Sequence, residues 1–237
     1  MQEFKNITHT FEPVFDENSK ILILGTFPSV KSRENHFYYG HPQNRFWKVM
    51  AAVMDSTQPQ TIEEKKNFLL ENHIAVWDVI HSCSIEGSSD SSITDVVPND
   101  FTELFARTHL LAVAANGTKA YELYQKYVYP VTKREIIKMP STSPANAAWN
   151  LARLTAAYRE LFENIVEVLD DMAASISDME DNITELDEYM GEIDEDLEAV
   201  ENYLDEEYEE DFDEEEDDYY AIVCPTCGEE FSVDDEV

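Results

Sequence analysis

The shortest clear apolar pattern in the chain is a run of four, Ile21-Leu22-Ile23-Leu24, which stops at Gly25 and gives way to Thr26-Phe27-Pro28-Ser29. A run this short, ended by glycine and proline, predicts a strand buried on both faces that feeds a loop. The same reading predicts strands over 74–79, 110–115 and 135–139. Helical periodicity falls between them, over 45–54, 62–72 and 118–127, with a further helix over 147–163. Strands alternating with helices predict a mainly parallel sheet covered on both faces, a three-layer α/β/α fold. Ligands of such sheets bind beyond the carboxyl ends of the strands. That rule singles out four loops: GTFPS, HSCSIEGSSDSS, NGT and PSTSPAN.

From residue 163 onward the pattern becomes a heptad. Ile165, Leu169, Met172, Ile176, Met179, Ile183, Leu186, Met190, Ile193, Leu197, Val200 and Leu204 recur at alternating steps of four and three, the seam of a coiled coil. Charge sharpens the division. All 16 Lys+Arg lie in residues 1–162 beside 18 acids, whereas 163–237 hold 33 acids and no base, so the net charge of −35 belongs to the tail. Like charges along the flanks of a self-associated helix repel; a basic partner helix is the more natural mate, and self-association is the competing arrangement. Residues 205–220 lose the seam and read as a disordered acidic linker.

The segment 221–237 carries Cys224-Pro225-Thr226-Cys227-Gly228, one knuckle of a zinc ribbon. A knuckle supplies two thiolates where a structural zinc takes four ligands, and no Cys or His follows Cys227. Zinc at Cys224 and Cys227 is therefore expected only as half a site. The predicted organisation is a catalytic body over 1–163, an acidic coiled-coil helix over 164–204, a linker over 205–220 and an incomplete knuckle over 221–237. No apolar run approaches the roughly 18 to 20 residues of a membrane span, and the N-terminus lacks a basic segment leading into an apolar one. Three cysteines are too few for a disulfide framework. A soluble, cytoplasmic protein with no membrane partner is expected.

Three of the segments, GTFPS, FYYGHPQNRFW and MPSTSPANAAW, occur in this order over roughly residues 4–165, and together they resemble the uracil-DNA glycosylase superfamily, most closely its hypoxanthine-DNA (deoxyinosine) glycosylase branch. The resemblance implies a monofunctional DNA repair enzyme that flips a deaminated base out of double-stranded DNA. Water then hydrolyses the N-glycosidic bond and leaves an abasic site, with neither metal nor redox cofactor. An enzyme of this kind has to clamp a flat base, read its edge and stabilise an oxocarbenium-like sugar. By the resemblance Tyr39 stacks on the flipped base, with Phe27 as a second wall. Phe27 also occupies the position where uracil-removing relatives carry a catalytic Asp or Asn.

That departure moves the catalytic role to Asn44, which would orient water as an amide rather than act as a base; a helix N-cap is the competing role for the same residue, and the two can coexist. Met139 stands where many relatives carry a histidine that helps an anionic base depart, which favours a purine that leaves with the help of its ring nitrogens. Asp78 aligns with a strand-end asparagine that reads the base. As an acceptor it suits the N1–H of hypoxanthine, with a turn-capping role as the alternative. Asn116 would contact base or phosphate, or simply form a turn with Gly117. Ser29, His41, Arg45, Ser141, Thr142 and Ser143 are expected to hold phosphate, against a plain helix start for the serines and a buried hydrogen-bonded role for His41. Lys31, Arg33, Lys48 and Lys119 add a basic rim. The rival function is a regulatory protein whose acidic helix mimics nucleic acid or binds a partner.

Overall fold

The computed structural model describes residues 5–86, 90–210 and 220–233. In chain order the elements are β1 (Lys5–Thr8), β2 (Ile21–Gly25), α1 (Val30–Glu34), α2 (Phe46–Val53), α3 (Ile62–Glu71), β3 (Ile74–Asp78), β4 (Ile80–Ile85), β5 (Thr94–Pro98), α4 (Thr102–Arg107), β6 (Ala112–Asn116), α5 (Thr118–Tyr127), α6 (Tyr129–Thr132), β7 (Ile137–Met139), α7 (Leu151–Glu210), β8 (Tyr220–Val223) and β9 (Glu230–Val233). The chain divides into two compact units, Met1–Asp171 and Met172–Val237.

The first unit is built on the expected parallel sheet, in the order β3-β2-β6-β7. The apolar run of β2 lies between β3 and β6, every residue of it buried. Its alternation splits the interior into two cores. Ile21 and Ile23 join Phe46, Val49, Met50 and Leu154 on one face, whereas Leu22 and Leu24 join Ile80, Cys83, Leu104 and Tyr124 on the other. The sheet is thus covered on both faces, an α/β architecture. Helix α3 begins with a capping box, Thr61 and Glu64 each holding the other's backbone N–H, as the Thr-Ile-Glu-Glu order implies.

The structure also contains a second sheet that the apolar pattern does not announce. Strands β1, β4 and β5 form an antiparallel sheet with β4 in the middle. The segment HSCSIEGSSDSS, expected as a loop, is therefore strand through Ile85. Its serines alternate with buried Cys83 and Ile85, a period-two pattern obscured by the Ser/Gly-rich composition around it. Residues 87–89 of that segment lie outside the described residues.

Helix α7 begins at Leu151 rather than at 147, because Asn150 accepts from the Arg153 N–H and caps it. It continues without a break through the body's last core positions into the heptad seam. Leu154, Tyr158 and Leu161 are buried, and Phe162 and Ile165 still pack against the first core, so the body reaches past the expected boundary at 163. Of the expected acidic linker, the helix takes residues through Glu210, Glu being a good helix former; residues 211–219 lie outside the described residues. In the second unit the seam is open. Met172, Ile176, Met179, Ile183 and Leu186 are each about half exposed. Strands β8 and β9 pair antiparallel around the Cys224–Cys227 turn. There the Thr226 and Cys227 N–H groups point at the Cys224 sulfur and draw its thiol below the ordinary range. Among the described residues no third ligand is grouped with these thiols.

The contrast between buried and open turns of α7 is testable by chemical unfolding followed by tryptophan fluorescence, since Trp47, Trp77 and Trp149 all report on the body. Leu154→Ala is expected to cost about 2–5 kcal/mol, whereas Leu186→Ala should stay within about 0.5 kcal/mol of the parent. Equal losses would mean that the seam is buried.

Candidate active site

Strands β2, β3, β6 and β7 all point their carboxyl ends toward one cavity of about 140 Å³, lined by Gly25, Phe27, Ser29, Tyr39, Asn44, Asp78, Asn116 and Ser141–Ser143 among others. The parallel register places Gly25 directly beside Asp78 at the ends of β2 and β3. That pairing needs glycine. A Cβ at position 25 would lie 2.2 Å from Asp78 Oδ1, so any side chain there would displace the carboxylate.

Asp78 is 5% exposed, and its second oxygen, Oδ2, lies 2.9 Å from His9 Nε2. The His9 side chain is only 2% exposed. Its Nδ1 accepts from the Phe11 N–H at 3.5 Å, so in the neutral ring Nε2 carries the proton and donates to Asp78. His9 went unrecognised as a site residue in the sequence, because the strand that delivers it beside β4 was not predicted.

A second polar chain forms the opposite wall. The Thr142 N–H donates to Asn116 Oδ1 at 2.9 Å, so Asn116 Nδ2 is the donor to Thr142 Oγ1, also at 2.9 Å. The Thr142 hydroxyl proton is then directed to Asn44 Oδ1 at 3.0 Å. Asn44 Oδ1 also accepts from the Phe46 N–H at 2.9 Å, at the start of α2. Both lone pairs of that oxygen are committed, which leaves the Nδ2 amide to face the cavity. Asn44, one residue before the N-cap Arg45, thus holds the first N–H of α2 and keeps its own amide donor for the cavity it lines.

Several expected phosphate ligands are placed otherwise. Arg45 spends its guanidinium and Nε on the carbonyls of Thr142, Ser143, Asn146 and Trp149. It is a clamp on the 142–149 loop with four of its five N–H donors committed to carbonyls, an arrangement that follows from its position at the helix start facing those carbonyls. Thr142 is fully buried within the amide chain rather than exposed to a backbone. Ser29 caps α1 through the Ser32 N–H, and its hydroxyl contacts that of Ser32. Ser141 and Ser143 accept from the N–H groups of Ser143 and Ala145, shaping the loop. His41 accepts from the Gln43 N–H and is not among the lining residues.

Tyr39 also differs from expectation. Its ring stacks on Phe46, with centroids 3.8 Å apart, so one face is already occupied. The residue holds a left-handed backbone at φ 52°, a strain of about 1–3 kcal/mol for a residue with a side chain. That conformation turns the hydroxyl inward. Its oxygen is buried with no hydrogen-bond partner among the described residues, 3.5 Å from where Gly25 would carry a Cβ. Burial and then the Asp78 charge push the phenol well above its ordinary pKa, with the nearby Asn116 amide easing the shift. Phe27 closes the cavity as a wall, edge-on to the His9 ring and beneath the Arg33 guanidinium. Arg33 is also bonded to the Pro28 carbonyl, and Lys31 to Glu34.

With this geometry in place, the comparisons with known proteins converge. A Methanosarcina acetivorans protein named hypoxanthine DNA glycosylase is 38% identical over 149 residues, 62% of this chain and 93% of its own. A second of that name, from Methanosarcina barkeri, is 38% identical over 114 residues, 47% of this chain and 72% of its own. The solution NMR structure of a Methanosarcina acetivorans protein assigned to the uracil DNA glycosylases superposes with a TM-score of 0.54 at 36% identity, covering 64% of this chain and 96% of that one. The sequence pattern of the uracil DNA glycosylase superfamily matches residues 12–169, and the chain belongs to that superfamily.

Proposed function

We propose that the chain is a monofunctional DNA glycosylase that releases hypoxanthine from deoxyinosine in double-stranded DNA. The nucleotide is flipped into the cavity, water attacks C1′ as the bond from C1′ to the base breaks, and an abasic site remains. The observation that carries the reading is the convergence of the Asn44 amide and the Asp78 carboxylate on one cavity in a chain so similar to two proteins named hypoxanthine DNA glycosylase. No lysine is among the lining residues, which favours water over an amine as the nucleophile. Asn44 Nδ2 donates to one lone pair of that water and leaves the other directed at C1′. The sugar is already cation-like when water arrives, so orientation matters more than deprotonation.

Duplexes carrying inosine, uracil or xanthine, incubated with the protein and then cleaved with alkali, test the activity. Inosine should be cut fastest, and a folded sample that cuts none of the three would overturn the proposal. The role of Asn44 separates from its cap by substitution. Asn44→Asp keeps an oxygen at the helix start but offers no donor, so it should melt within about 1 kcal/mol of the parent while single-turnover rate falls by roughly a hundredfold. An Asp variant at full rate would confine Asn44 to capping.

A second activity is favoured by the open seam of α7, and we infer that it receives a basic amphipathic helix. The seam residues are about half exposed, and the tail offers acids on its flanks with no base among them. A second copy would bring like charges together, whereas lysines on a partner helix would neutralise them. Light scattering on the full chain at low salt should give a monomer that binds a synthetic heptad peptide with leucine at the seam and lysine at the flanks. A stable dimer without the peptide would establish self-association instead.

A further inference from the structure

The buried hydroxyl of Tyr39 has no acceptor for its proton among the described residues, the Asn116 amide approaching it only as a donor, and the buried carboxylate of Asp78 has one oxygen uncommitted to His9. Both atoms lie within 3.5 Å of the same point, the position of the Cβ that Gly25 lacks. A buried hydroxyl without a hydrogen bond is rare enough to need a reason. We propose that Asp78 Oδ1 and the Tyr39 hydroxyl form a paired reader for a lactam edge, a ring N–H beside a carbonyl, and that His9 is the positioning residue that sets its polarity. The proposal rests on the glycosylase reading above and names the edge that this site selects.

Each part follows from the donor and acceptor inventory. Asp78 faces the cavity as an anion and only accepts. The His9 ring, itself fixed by the Phe11 N–H, donates its one proton to Oδ2. Oδ1 therefore asks for an N–H. Tyr39 stays a phenol, held between the Phe46 ring and the strand ends, and its free proton asks for a carbonyl oxygen. Hypoxanthine presents N1–H and O6 side by side and satisfies both. Adenine reverses the pattern, since its N1 is an acceptor facing a carboxylate and its amino group leaves the hydroxyl no acceptor. Unsubstituted purine lacks both groups, leaving the hydroxyl unsatisfied and turning an acceptor N1 toward the carboxylate.

Affinity for uncleavable duplexes tests the reader apart from the chemistry. The bases would be hypoxanthine, N1-methyl hypoxanthine and unsubstituted purine on a fluorinated sugar, with anisotropy as the readout. The parent should prefer hypoxanthine to both analogues by about tenfold or more, the usual yield of a hydrogen bond to a charged group. Tyr39→Phe should lose part of the preference over purine, the rest resting on the N1–H that purine also lacks, and keep most of that over the methylated base. His9→Leu should lose preference in both comparisons, with His9→Gln, which keeps a donor, restoring part of it. A merely structural His9 would weaken all three duplexes alike, and that result, or unchanged preferences in Tyr39→Phe, would overturn the proposal. A parent that selects hypoxanthine in binding yet cleaves no inosine would sustain the reader and overturn the glycosylase reading alone.

Discussion

The constraint on which the site depends is the guanidinium of Arg45. Standing at the start of α2, it reaches the carbonyls of Thr142, Ser143, Asn146 and Trp149, residues about a hundred positions later in the chain. A loop of this length carries many carbonyls that no helix or sheet satisfies, and one forked, permanently charged donor gathers four of them. The consequence is positional. With the loop held against α2, Thr142 is buried between Asn116 and Asn44 and can pass a single direction of hydrogen bonding through all three. Without the clamp, Asn44 would be an ordinary helix cap with a freely turning amide. The residue that sequence logic sends to the DNA backbone is thus the one that organises this wall of the cavity from within.

Much of the scaffold was legible in the sequence because parallel strands buried on both faces need continuous apolar runs, and β2 and β3 have them. The positions of Phe27, Asn44, Asp78, Asn116 and Thr142 around one cavity follow from that scaffold, since they lie in or beside the loops after its strands. What failed was direction and pairing. Neither spacing nor composition reveals that Arg45 turns toward carbonyls, or that Tyr39 takes a left-handed backbone, lays one ring face on Phe46 and buries its hydroxyl. His9 was invisible for a different reason. It comes from a short strand whose partner, β4, reads as a serine-rich loop, so the contact between residues 9 and 78 exists only once the second sheet is known.

The same chain joins this neutral, close-packed body to a helix with opposite habits. The boundary is electrostatic as well as geometric. Within the body the buried polar groups Asp78, Asn116 and Thr142 are hydrogen-bonded, whereas along α7 beyond Asp171 the described acids are exposed and the apolar seam is open. Beyond Asp171 this helix gains little from its own side-chain pairs, because that part contains no base to form them. The basic helix proposed above would supply apolar area and positive charge together.

The reader of Asp78 and Tyr39 cannot by itself separate hypoxanthine from uracil, because uracil also presents a ring N–H beside a carbonyl. Charge on the departing base can. A base leaving as an anion would build negative charge against the Asp78 carboxylate, and two such charges about 4 Å apart in a partly buried site repel by on the order of a few kcal/mol. The His9 ring engages the other oxygen, Oδ2, and leaves Oδ1 facing the base. A purine escapes the penalty by taking a proton on its imidazole ring, on the side away from the N1–H, and leaving neutral. Uracil has no second ring nitrogen to protonate. The same carboxylate that welcomes both bases into the cavity therefore favours departure of only one, and selection passes from the binding step to the bond-breaking step.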